Sequence, residues 1–257
     1  MTRVVVLGAA GRMGSTVCEA VAAADDLDLV AAVDPGGAGR RVGGVEVTAA
    51  RPQPGEADVA VDFTRRDAAM DNLRWCAAAG VHAVSGTTGM SDDDLAELQR
   101  CFAASPGTGC VIAANFAIGA VLMMRFAELA APWFETAEIV ELHHDRKVDA
   151  PSGTAVQTAR RMADASATWG ADPTVTEVVD GARGGVGPGG IRIHSVRLAG
   201  LIAHQEVLLG TVGQSLIIRH DSYDRTSFMP GVLLAVRAVA GGGRPGLTVG
   251  LDALLSP

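Results

Sequence analysis

Along the first half of the chain, short runs of β-branched and aliphatic residues alternate with stretches whose apolar positions recur every three or four residues. This pattern predicts strands at 4–7, 29–33, 59–62, 81–85 and 110–113, and helices at 13–24, 67–79 and 92–104. Each predicted strand is apolar almost throughout and runs into turn chemistry, as do strands covered on both faces of a parallel sheet. Gly80 follows the second helix as a C-cap signal. Ser91 and Asp94 have capping-box spacing ahead of the third, with Asp in place of the usual Glu. Repeated βα units with connections this short imply an α/β fold with a doubly wound, Rossmann-like parallel sheet.

After Asn115 the pattern changes. A helix near 117–131 leads to a strand at 138–142, a polar loop and a further helix from Gly153. Segment 180–190, DGARGGVGPGG, is expected to lack regular structure. Strands at 191–198, 204–209 and 215–220, joined by glycine-containing turns, predict antiparallel hairpins. A helix near 230–240, with proline at its start, precedes a short apolar run at 247–249. Two domains are therefore expected. One is a parallel α/β domain over 1–114, completed by about 226–257. The other, over 115–225, is an α+β domain with a mostly antiparallel open sheet.

Composition narrows the function. Apolar residues make up 48% of the 257, enough for a sizeable core, and charged residues only 19%, so disorder is not expected. A net charge of −8, with no local basic cluster, opposes nucleic-acid binding, and three Trp, one Tyr and six Phe give little for bases to stack on. The longest apolar run, 111–124, is broken by Asn115 and falls short of the roughly 20 residues a spanning helix needs. Met1-Thr2-Arg3 leads straight into an apolar run too short for a signal peptide. A cytoplasmic protein without membrane association is expected. Cys18, Cys76, Cys101 and Cys110 lie far apart, with no C-x-x-C, and read as free thiols in a reducing compartment.

Gly8-Ala9-Ala10-Gly11-Arg12-Met13-Gly14 follows the first strand and opens the first helix. Backbone N–H groups at such a helix start favour a pyrophosphate, and glycines let it approach. Alone, G-x-x-G-x-x-G is a weak signal that a tight strand-to-helix turn also satisfies. Asp34, at the end of the second strand and twenty residues after Gly14, strengthens it, since an acid there can accept from an adenosine ribose; its plainer role is to start a turn before Pro35. Gly86-Thr87-Thr88-Gly89 and Ala113-Ala114-Asn115-Phe116 follow the fourth and fifth strands, at the carboxyl edge where doubly wound sheets bind ligands. Asn115 can meet a carboxamide or simply cap the next helix. Together these features predict a dinucleotide site in the first domain.

The densest polar stretch is Glu141-Leu142-His143-His144-Asp145-Arg146-Lys147-Val148-Asp149-Ala150-Pro151-Ser152-Gly153-Thr154-Ala155. Ser152-Gly153-Thr154 starts a helix with free N–H groups, two hydroxyls and a glycine, a place for a carboxylate. Lys147 supplies a cation or a general acid. Singly, these residues have plainer roles as an N-cap, surface histidines and a solvated lysine; together they predict a substrate site. Adjacent histidines on a strand face opposite ways and no third ligand is evident, so no metal is expected.

These residues resemble a family. GAAGRMG at 8–14, VDFT at 61–64, GTTG at 86–89, NFAIGA at 115–120, ELHHDRKVDAPSGTA at 141–155, RLAGLIAHQEVLLG at 197–210 and SLIIRHDSYDRTSFMPGVLLAV at 215–236 are similar to 4-hydroxy-tetrahydrodipicolinate reductase (dihydrodipicolinate reductase), of lysine and diaminopimelate biosynthesis. The resemblance implies hydride transfer from NADH or NADPH to a cyclic imine dicarboxylate, and assembly as homotetramers through the second domain's sheet. It implies cofactor contacts from Gly8, Ala9, Ala10, Gly11, Arg12, Met13, Asp34, Gly86, Thr87, Thr88, Ala113, Ala114, Asn115 and Phe116. His143 is then a proton donor or acceptor, Lys147 the proton donor, His144 a substrate contact, and Ser152, Gly153 and Thr154 the holders of a carboxylate. Ala114 stands where the family often has proline. Asp34 is followed by Pro35-Gly36-Gly37 rather than a basic residue, so NADH is expected to serve at least as well as NADPH, with Arg12, Arg40 or Arg41 able to answer a 2′-phosphate. The rival readings are a related dehydrogenase acting on another acidic imine or amino acid, and a sensor that binds NAD(H) without turnover.

Overall fold

The computed structural model describes residues 1–255 and divides into two compact units. The first comprises Met1–Ile118 together with the chain from Arg225 onward; the second is Gly119–Asp224.

In the first unit the strands are β1 (Thr2–Leu7), β2 (Leu27–Val33), β3 (Arg41–Val42), β4 (Val45–Thr48), β5 (Val59–Asp62), β6 (His82–Ser85), β7 (Gly109–Ile112) and, late in the chain, β13 (Gly246–Val249). They form one sheet in the order β13-β7-β6-β5-β1-β2-β4-β3, parallel except for the β3/β4 pair. The order reverses at β1, so β2 lies on one side and β5 on the other. Such a reversal opens a crevice at the carboxyl ends of the strands. Val4, Val5, Val6 and Leu7 are all buried, as expected of a central strand covered on both faces.

Helices α1 (Arg12–Ala22), α2 (Arg66–Ala79), α3 (Asp92–Ala103) and α6 (Met229–Ala240) complete this unit. In α1 the buried residues Gly14, Val17, Cys18 and Val21 recur at helical spacing. Gly80 ends α2 in the left-handed conformation (φ +69°), and Ser91 and Asp94 form the reciprocal capping box of α3, both as expected from the sequence. The short β3–β4 hairpin carries too few apolar positions to stand out in the sequence pattern.

The second unit contains α4 (Ile118–Ala130, whose first residue belongs to the first unit), β8 (Thr136–His143), α5 (Gly153–Ala165), β9 (Gly185–Val186), β10 (Arg192–Arg197), β11 (Ala203–Thr211) and β12 (Gln214–Ser222). Its sheet runs β12-β11-β8-β10-β9. β11 and β12 form the expected hairpin, but β10 and β11 do not: β8 inserts between them, antiparallel to β11 and parallel to β10. Glycine-containing turns specify a change of direction, not which strand lies alongside. The glycine-rich 180–190 segment is likewise not wholly irregular, since Gly185–Val186 pairs with β10 as a two-residue edge strand. Ala155, Thr158, Ala159 and Met162 form the buried stripe of α5. Among the described residues no helix is long and apolar enough to cross a membrane.

Candidate functional site

In the first unit, the residues proposed from sequence lie at the carboxyl edge of the sheet. Gly8 leaves β1 with φ +81°, which L side chains rarely adopt. Gly14 packs so closely under the loop that a Cβ would stand 2.0 Å from the Gly8 carbonyl oxygen. Gly11 occupies the N-cap of α1 and offers no capping side chain. Asp34, just past β2, closes the loop: its carboxylate accepts from the Ala10 N–H at 3.2 Å and the Gly36 N–H at 2.9 Å. A Cβ on Gly37 would come within 2.2 Å of the Ala10 Cβ, so the 34–37 turn lies directly on the glycine loop. The result is a backbone cradle at a helix start, beside an acid, whose chemistry fits the diphosphate and ribose of a dinucleotide. Arg12, Arg40 and Arg41 are exposed around it, although the Arg41 guanidinium already donates to the Gly44 carbonyl.

Asp62, at the end of β5, is 1% exposed and was not singled out from sequence. Its carboxylate accepts from the Thr64 N–H and hydroxyl, the Asn72 amide and the Thr87 hydroxyl. Thr87 therefore turns its hydroxyl inward, while Thr88 stays exposed. A Cβ on Gly86 would collide with the Phe63 ring at 2.1 Å. In the 113–116 segment Ala114 is exposed and the Asn115 side chain accepts from the Ala117 N–H, two residues on and just ahead of α4. Phe116 is buried with its ring centroid 5.9 Å from that of Phe63.

In the second unit, the strand register builds the polar site. On β8, Glu141 and His143 share one face, two residues apart. On β10, Ser195 lies opposite Glu141 and Arg197 opposite His143. Glu141 is fully buried, and Arg197 grips both its oxygens at 2.8 Å each. The Ser152 N–H donates to Oε1 at 3.1 Å, and His143 Nδ1 lies 2.6 Å from Oε2. Burial works against the Glu141 charge, but Arg197, Ser195 and His143 outweigh it and hold the carboxyl below the usual range. For His143, burial wins over the Glu141 carboxylate, and with Lys147 and Arg197 nearby its imidazole titrates below the ordinary value.

Lys147 Nζ donates to both Asp149 oxygens, at 2.8 and 2.7 Å, and the Asp149 carbonyl accepts from Arg197 at 2.7 Å. Ser152 is the N-cap of α5, accepting from the Ala155 N–H at 3.2 Å, so its plainer sequence role is the one its side chain fills. Gly153 is exposed, and a Cβ there would meet no atom within 4 Å. His144 keeps a buried Nδ1 without a protein partner. Glu141, Asp149 and Arg197 escaped the sequence reading as site residues. Glu141 precedes the histidines in the same string, but its partner Arg197 lies 56 positions further on. A separate cavity of about 860 Å³ opens near the start of β8, where Glu138, Asp172, Arg183 and Arg192 pair among themselves.

Comparison with known proteins agrees with both halves. Residues 2–116 match the family model described as dihydrodipicolinate reductase, N-terminus, and residues 119–255 the model described as dihydrodipicolinate reductase, C-terminus. The 4-hydroxy-tetrahydrodipicolinate reductase of Nocardia farcinica is 55% identical over 98% of each chain, and that of Cutibacterium acnes 53% identical over 99% of each. The dipicolinate-bound dihydrodipicolinate reductase from Paenisporosarcina sp. TG-14 superposes with a TM-score of 0.83 at 38% identity, covering 99% of this chain and 100% of its own. A glycine cradle beside an acid, a buried carboxylate behind a histidine, and an uncluttered helix start thus occur in a chain matched almost from end to end, and this chain belongs to the dihydrodipicolinate reductase family.

Proposed function

We infer that the protein is an NAD(P)H-dependent oxidoreductase that reduces 4-hydroxy-tetrahydrodipicolinate to tetrahydrodipicolinate in lysine and diaminopimelate biosynthesis. The observation that carries this reading is whole-length kinship with reductases of that name, at 50–55% identity, in a chain that carries the polar string at 141–155. Loss of water from the substrate leaves a conjugated cyclic imine, and hydride at C4 plus a proton completes the reduction. When bound, the nicotinamide supplies the hydride.

The chain's own residues do the rest. Gly8, Ala9, Ala10, Gly11, Arg12 and Met13 hold the diphosphate at the start of α1, and Asp34 takes the ribose. Segments 86–88 and 113–116 flank the nicotinamide end, with Asp62 bracing the first through Thr87. In the second unit, Ser152, Gly153 and Thr154 receive a ring carboxylate at the start of α5, and His144 contacts the substrate. Lys147 carries a proton at Nζ while Asp149 holds it in place, and His143 exchanges a proton with the reacting ring. Dinucleotide binding is assigned to 1–114 with 226–257, and substrate binding to 115–225. Self-association as a homotetramer is assigned to the second unit's sheet, supported by the exposed apolar residues Leu216 and Ile217 on edge strand β12. A cytoplasmic location fits the free thiols, of which Cys18, Cys76 and Cys110 are buried.

The test couples the enzyme to the preceding synthase, supplied with pyruvate and aspartate semialdehyde, and follows nicotinamide absorbance with NADH and NADPH in separate runs. Synthase-dependent oxidation is expected, with NADH at least as fast as NADPH because Asp34 repels a 2′-phosphate. Folded protein that binds NADH yet oxidises neither NADH nor NADPH when the synthase product is supplied would overturn the reading.

A further inference from the structure

Donors surround the Glu141 carboxylate: two from Arg197, one from the Ser152 N–H, one from His143 and the Ser195 side chain. A carboxylate has about four lone-pair sites, so this one is filled. A guanidinium and an amide N–H can only donate, which requires the carboxyl to be ionised. At 2.6 Å from an ionised oxygen, His143 Nδ1 must then bring the proton.

We propose that Glu141, held by Arg197, is a positioning residue: it fixes His143 in the tautomer with its proton on Nδ1, so that Nε2 is the nitrogen that exchanges a proton with the substrate. The proposal rests on the assignment of His143 as the proton-exchanging group. It follows from the way the site is built rather than from His143 alone. Spacing along β8 puts the acid behind the imidazole, and the parallel register with β10 brings the counter-charge. The charged groups facing His143 are Glu141 on its own strand, Arg197 on β10 and Lys147 in the following loop. On β11 the residue opposite is Ala203, which is uncharged. Among the described residues Glu141 is the anion bonded to the ring, Asp149 being held by Lys147, and it favours a protonated ring against two cations and burial. The arrangement keeps His143 neutral at rest while leaving an anion behind it to stabilise the imidazolium when a proton arrives at Nε2.

The experiment is nitrogen-15 NMR of the full-length, histidine-labelled enzyme, with His143→Gln to assign the signal, together with kcat, KM and the pH profile of Glu141→Gln. In the parent enzyme the His143 signals should show a protonated Nδ1 and a bare Nε2 above the titration point. Glu141→Gln, whose amide oxygen can still accept from Ser152, should lower kcat by at least about tenfold with KM little changed. The His143 titration and the matching limb of the kcat profile should move to lower pH, because the anion favouring the charged ring is gone. A protonated Nε2 in the parent would overturn the proposal. So would a Glu141→Gln enzyme that loses thermal stability while keeping its kcat and pH profile. The parent's tautomer needs no substrate and no turnover, so it reports on Glu141 even if the coupled assay refutes the proposed reaction.

Discussion

The Thr87 hydroxyl donates to the buried carboxylate of Asp62 across 2.9 Å, joining the end of β5 to the segment that follows β6. Thr64 and Asn72 complete the shell, so the loop is anchored by a network rather than by its own turn geometry. Thr87→Val preserves shape and removes the donor. Hydrogen bonds to charged groups contribute about 1.5–3 kcal/mol, so stability should fall by that order. Affinity for NADH should weaken while the KM for the imine holds. Thermal melts and fluorescence titration with NADH would show both; undiminished NADH affinity would separate this loop from the cofactor.

Among the described residues, apart from its chain neighbours and its own helix backbone, no atom lies within 4 Å of where a Cβ on Gly153 would stand. At the first position of a helix, alanine should leave stability unchanged or raise it by up to about 1 kcal/mol. If a substrate carboxylate seats against this backbone, Gly153→Ala should raise the substrate KM by about tenfold, a loss of roughly 1.4 kcal/mol of binding. Steady-state kinetics beside a melting curve would check the pair. An unchanged KM would move the carboxylate elsewhere.

Among the described residues the Lys147 ammonium is tied only to Asp149, whose carboxyl it holds below the usual range. Lys147→Ala should cut kcat by about a hundredfold or more, the usual contribution of a general acid, and leave cofactor binding nearly intact. Stopped-flow turnover and NADH titration distinguish these effects. Loss of NADH affinity would place the lysine in the wrong half of the reaction.

Asp94 titrates near about 2, because Arg66 pairs with both its oxygens and the Ser91 N–H donates to it. Its folded-state value lies below the ordinary one of about 3.9. It therefore contributes stability that is present above about pH 4 and lost as pH falls toward 2. Asp94→Asn should lower Tm at pH 7 by about 2–4 °C, the scale of losing a cap and its pair in a domain of this size. The difference from the parent should shrink as the solution is acidified. Melts at pH 7, 4 and 3 would test this, and a difference that stayed constant would assign Asp94 no linkage.

The central strands and the helices of the first unit, though not the β3–β4 hairpin, were legible because burial on both faces leaves an unbroken apolar run, and helix ends carry their own signals at Gly80 and Ser91. The polar string at 141–155 was legible as chemistry, since so many functional groups in fifteen positions have no packing role. Strand neighbours were not. Nothing local in 191–211 says that β8 comes between β10 and β11, and only that insertion places Arg197 against Glu141. Asp62 was invisible for a related reason: its donors come from three separate segments, and an acid at a strand end ordinarily meets water. The inward turn of Thr87 follows from Asp62 and was hidden with it.

The placement of Arg197 also sets an order of events. During synthesis Glu141 leaves the ribosome 56 residues ahead of its counter-charge. A nascent chain ending near Gly190 has the acid and both histidines but cannot bury them, since an unpaired buried charge costs several kcal/mol. β8 must wait for strands made later on either side of it, and sheets that join distant segments form slowly. Glu141, His143 and Arg197 therefore come together only when most of the second unit has been made, and since α6 and β13 of the first unit are made later still, the unit that begins the chain is the last to be completed.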